Sequence, residues 1–77
     1  MSPNELIAAV RLQPFEPFRV VLSDGASYDI RHPDNIIVGL RTSVIAVPLP
    51  SRPDYAAHTV KVDNLHITQM VPLPTAV

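Results

Sequence analysis

Cysteine and tryptophan are absent from the 77 residues, and glycine occurs only twice. Without cysteine there is no disulfide, no thiolate zinc site and no thiol nucleophile. Two glycines are too few for a glycine-rich phosphate loop. Charge is also scarce, at 17% of residues against roughly 25% in an average soluble domain. A surface short of charge favours contact with another protein. The two glutamates, Glu5 and Glu16, lie near the N-terminus, and no serine sits in a nucleophile-elbow context, so the sequence is read as non-enzymatic, with no cofactor. There is no basic start followed by an apolar stretch, and no run of about 18 apolar residues, which makes the cytoplasm the expected location and a membrane partner unexpected.

What is present fits one small domain over residues 1–77. A chain this short hides only about 60–65% of its unfolded surface, so its core is marginal unless a partner subunit adds to it. Small core and low charge together predict a homo-oligomer, with another protein as the alternative partner. Net charge is −1, which gives no bulk case for nucleic acid. Nucleic acid stays a secondary candidate only because Arg11, Arg19, Arg31, Arg41 and Arg52 are spread along the chain and folding can gather them.

Ser2-Pro3-Asn4-Glu5 reads as a helix start, with serine at the N-cap, proline where its missing N–H costs nothing, and glutamate three residues after the serine. A helix over about residues 3–12 follows, with Leu6, Ile7, Ala9 and Val10 on one face. Strands are predicted from Arg19 to Ser23, and through Tyr28 and Ile30 after the hairpin signal Asp24-Gly25. Further strands are predicted over Ile36 to Leu40, Val44 to Val47, His58 to Asp63 and His66 to Val71. Pro33 breaks the ladder between the second and third strands, where a bend or bulge is expected. A proline-rich loop spans about 48–57, and a free tail starts at about 72. The expected fold class is mainly β with one N-terminal helix, a small, strongly bent antiparallel barrel of SH3-like or Sm-like type. Phe15, Phe18, Val20, Leu22, Tyr28, Ile30, Ile37, Ile45, Val47, Val60, Val62 and Ile67 are the expected core.

Val21-Leu22-Ser23-Asp24-Gly25, Ile36-Ile37-Val38 and Asp63-Asn64-Leu65-His66-Ile67, in this order of elements, resemble the Sm-like family, including its bacterial Hfq type. The resemblance implies a small barrel and a ring or other oligomer. In that arrangement the fourth strand of one copy pairs with the last strand of the next, which predicts an oligomer edge made of Val44, Ile45, Ala46 and Val47 with Ile67, Met70 and Val71. The family bends its second strand at a glycine, where this chain has Asp29, Ile30 and Arg31. The Hfq-type Tyr-Lys-His tripeptide falls on Asp63-Asn64-Leu65, whose acid and leucine neither stack on bases nor pair with phosphate. The RNA site is therefore not carried across. Pro14-Phe15-Glu16-Pro17-Phe18-Arg19, Leu22-Ser23-Asp24-Gly25 and Arg31-His32-Pro33-Asp34 are similar to a group of short uncharacterised bacterial proteins, which implies no function.

The densest polar cluster is Arg31-His32-Pro33-Asp34. Arg31 and Asp34 are expected to hold the bend through an ion pair or a side-chain turn, and Arg31, His32 and Asp34 are the candidate binding residues. His32, His58 and His66 have no metal-ligand spacing, so no metal site is predicted.

Overall fold

A computed structural model describes residues 1–74. The helix α1 runs over Pro3–Arg11, and the Ser2 hydroxyl accepts the Glu5 N–H at 3.3 Å, as its N-cap position demands. Leu6 is buried, with Ala9 and Val10 packed beside it against the strands, so the short helix is held by its apolar face. Six strands follow: β1 (Phe18–Leu22), β2 (Ser27–Ile30), β3 (Ile36–Val38), β4 (Thr42–Pro48), β5 (Ala56–Asp63) and β6 (Ile67–Pro72). Short 3-10 turns at Pro33–Asn35 and Asn64–His66 precede β3 and β6.

The strands form two antiparallel three-stranded sheets, ordered β2-β1-β6 and β3-β4-β5, and they do not close into one barrel. The break between β2 and β3 falls at Pro33, which has no N–H to give a ladder. The β1–β2 loop turns at Gly25, whose φ of +92° suits glycine and few other residues. Phe18, Val20, Ile30, Ile36, Ile45, Val62, Ile67 and Leu6 make one core between the sheets.

Three expectations change. Ile37 is 70% exposed and Ile36 is buried in its place. Three consecutive apolar residues left the phase of β3 open, and its register sets Ile36 opposite the buried Ile45. Val47 is only half-buried, because β4 runs past the end of the core there. The tail is not free from residue 72: Pro72 belongs to β6, and Leu73 is buried with its N–H donated to the Pro17 carbonyl at 3.0 Å. The rest of that predicted tail, residues 75–77, lies outside the described residues.

Candidate functional site

The hairpin places Arg19 on β1 directly opposite Asp29 on β2. Arg19 donates from Nε at 2.7 Å and from Nη2 at 3.4 Å to the two oxygens of Asp29, and Arg31 adds a single 3.4 Å contact from Nη2. The hydrogen bond from Arg19 is the main reason that the Asp29 carboxyl lies below its ordinary pKa, against the opposing effect of partial burial, with both guanidinium charges adding to the lowering. The same hydrogen bond raises Arg19 above its ordinary value.

This cluster flanks a cleft of about 430 Å³ whose opposite wall is Ile45, Ala46, Val47 and Pro48 of β4. Two hydrogen bonds fix the direction of the peptide groups on each wall. The Asn64 N–H donates to the Arg41 carbonyl at 2.8 Å, which fixes the phase of the β4–β5 ladder. Ser43, Ile45 and Val47 thus turn their peptide groups to β5, while Val44 and Ala46 turn theirs the other way. β3 begins at Ile36, opposite Ile45, and before it the 3-10 turn Pro33–Asn35 packs against β4 and brings Asn35 into the cleft lining. Likewise the Leu22 N–H donates to the Ala26 carbonyl at 2.8 Å, which directs Phe18 and Val20 to Ile30 and Tyr28 and leaves the peptide groups of Ser27 and Asp29 facing away from β1.

Of the predicted binding residues, Arg31 lines this cleft, whereas His32 and Asp34 are exposed on the neighbouring 3-10 turn. Arg31 pairs with Asp29 and not with Asp34. The bend is held instead by Asn35, whose Oδ1 accepts the His32 N–H at 3.0 Å. Asp29 escaped the sequence reading, although counting back from the Asp-Gly turn puts it opposite Arg19.

The predicted oligomer edge is half displaced. Val44 and Ile45 lie in a central strand with β3 on one side and β5 on the other, and Val47 turns its peptide groups to β5, so this run is not a free edge. The error comes from counting strands in sequence order, because β2 and β3 occupy successive stretches of one broken strand path. The strands at the ends of the sheets are β2 and β6 in one and β3 and β5 in the other. Within β6, Ile67 is 1% exposed and belongs to the core, Met70 is half-buried, and Val71 is exposed.

Two further polar groupings went unremarked in the sequence. Ser43 and Asn64 are buried together, with the Ser43 hydroxyl donating to Asn64 Oδ1 at 2.6 Å and Asn64 Nδ2 donating to the Gly39 carbonyl at 2.8 Å. At the surface, Ser23 Oγ lies 3.1 Å from His66 Nδ1, and the Ser23 N–H donates to the His66 carbonyl. A nucleophilic serine needs its histidine oriented by a third group. The adjacent carboxylates are taken by turn amides, Asp63 by the Leu65 N–H and Asp24 by the Ala26 N–H, so the pair serves to tie the hairpin to the second 3-10 turn.

Three of the arginines have acidic partners. Arg19 and Arg31 share Asp29, while Arg52 contacts Asp54 at 3.4 Å and stacks 4.7 Å from the Tyr55 ring within the proline-rich loop. Among the described residues no three or more His, Asp or Glu side chains come together to hold a metal, and no helix is long and apolar enough to cross a membrane. No family model, curated protein or solved structure matches this chain.

Proposed function

We propose that the chain is a non-enzymatic assembly module whose copies join through sheet edges, β5 of one copy alongside β6 of the next. The observation that carries this reading is β5 itself. It is eight residues long, terminal in its sheet, free of proline, and exposed from Ala56 to Thr59. An exposed edge of that length is a template for another strand. The ladder phase turns the peptide groups of Thr59 and Lys61 outward, and Lys61 is the only lysine or arginine in the strand to discourage pairing. Ile37, Leu40 and Leu65, 70%, 83% and 83% exposed, add apolar surface to a chain already short of charge.

The element order supports an Sm-like small barrel in this role, with β2 and β3 as the two halves of one bent strand. A β5–β6 contact is head-to-tail, and closes into a ring when the rotation per copy permits; a two-fold β5–β5 contact is the other closed form.

Light scattering over a concentration series tests the proposal. The expected mass is a multiple of the 8.4 kDa chain. Thr59→Pro removes an outward N–H and leaves the β4–β5 ladder whole, so it is expected to yield a folded monomer with an unchanged circular dichroism spectrum. Val71→Lys is expected to weaken the same contact from the β6 side. A wild-type monomer at every concentration overturns the reading.

A further inference from the structure

A hollow of about 650 Å³ lies where β5 gives way to β6. Leu40 of the β3–β4 turn and Leu65 of the second 3-10 turn flank it, each 83% exposed, and Met1 and Pro3 line it beside them. Asn64 holds both turns in place, since its Nδ2 donates to the Gly39 carbonyl and its N–H to the Arg41 carbonyl. The two leucines are thus fixed in water, where an apolar surface is left to be covered. Edge assembly has a matching need. The exposed run of β5, Ala56 to Thr59, brings little apolar bulk, whereas the buried centre of an interface between copies is apolar. We propose that Leu65 of one copy seats in the hollow between Leu40 and Leu65 of its neighbour.

Topology brings these parts together. The second 3-10 turn follows β5 and precedes β6, and every ladder between the described strands is antiparallel. When β5 of one copy runs antiparallel to β6 of the next, the end of β5 lies beside the start of that β6. Both 3-10 turns then come to the same end of the contact, where a parallel contact would put them at opposite ends. Thr42 pairs with Asp63, which keeps the β3–β4 turn and its Leu40 at that end as well. Charge fits the same seating. Arg41 is exposed and has no acidic partner among the described residues, while Asp63 is exposed and gives one oxygen to the Leu65 N–H. An incoming Leu65 carries its own Asp63 two residues behind it, toward the Arg41 that lines the hollow. Apolar meets apolar and acid meets base, which fixes the register of the two copies. Such seating presupposes the β5–β6 edge contact and supplies the apolar centre that the strands lack.

The chain has no cysteine, so a single introduced one reports its own neighbours. Under mild oxidation with copper phenanthroline, Leu65→Cys is expected to form disulfide-linked dimers about tenfold faster than Ile37→Cys, an exposed position outside the hollow. Adding Thr59→Pro is expected to bring Leu65→Cys down to the Ile37→Cys rate. Leu65→Asp is expected to raise the concentration at which copies associate by about tenfold. Its circular dichroism should match the wild type, because the side chain it replaces is exposed. Leu65→Met is expected to associate as the wild type does, and Arg41→Glu to weaken association by roughly threefold. A Leu65→Cys rate no higher than that of Ile37→Cys, or unweakened association of Leu65→Asp, overturns the seating in an oligomer whose edges still form. A fast rate that survives Thr59→Pro, or a wild type that is monomeric at every concentration, overturns it together with the edge contact.

Discussion

The Ser43–Asn64 pair ties down the β3–β4 turn and the Arg19–Asp29–Arg31 cluster ties β2 to β1, and they do it under opposite conditions. Ser43 and Asn64 are almost wholly buried, and together they reach Gly39, Leu40 and Arg41 across the β3–β4 turn. Asp29 keeps 30% of its side chain in water, and its two arginines keep 45% and 56%. A buried polar group left without a partner costs its whole desolvation, whereas an exposed ion pair exchanges one well-solvated state for another. The first cluster is therefore structural, and the second is free to exchange partners.

Asn64→Ala is the sharpest way to break that contrast. It strands the Ser43 hydroxyl and the Gly39 carbonyl in the interior, and is expected to cost about 3 kcal/mol, read as a drop in Tm of roughly 15 °C. Next comes Gly39→Ala. A Cβ at this position meets the Thr42 carbonyl oxygen, which is backbone and cannot rotate away, so the β3–β4 turn must shift. The expected loss is about 2 kcal/mol by urea denaturation. The smallest effect belongs to Asp29→Asn, at about 0.5 kcal/mol. Its pH dependence carries a definite sign. Because folding lowers the pKa of Asp29, its contribution is fully present above the ordinary carboxylate range and is lost as pH falls through the folded value, so wild type and variant should converge in stability in acid. A loss for Asp29→Asn as large as that for Asn64→Ala would erase the distinction between the clusters.

Local chemistry made some of this readable in advance. Ser2-Pro3 carries the start of α1 by capping, and Asp24-Gly25 carries the first hairpin by the backbone freedom of Gly25. The helix, the mainly β class and the break at Pro33 follow from such local rules. The phase of β3 did not follow, because Ile36, Ile37 and Val38 are all apolar and only pairing with β4 tells inside from outside. Nor did the buried Asn64, since an asparagine between an aspartate and a leucine reads as a turn residue until Ser43 arrives from 21 positions away. Arg31, which lines the cleft, was singled out by its polar neighbourhood in sequence. Asp29 was not, because it meets Arg19 only through the register of the β1–β2 hairpin, ten positions away in sequence.

The β1–β6 ladder has a consequence for how the chain assembles itself in time. The pairs β1–β2, β3–β4 and β4–β5 join neighbours in sequence, whereas β1 meets β6 by bringing Leu22 to Ile67. Closing that loop costs about 2 kcal/mol more in chain entropy than closing the hairpin from Leu22 to Ala26. Local hairpins therefore form ahead of it, and β1 stays half-paired until the last strand is available. During that interval β1 itself carries an open edge, so the chain is most exposed to pairing with a neighbour just before its first sheet is complete.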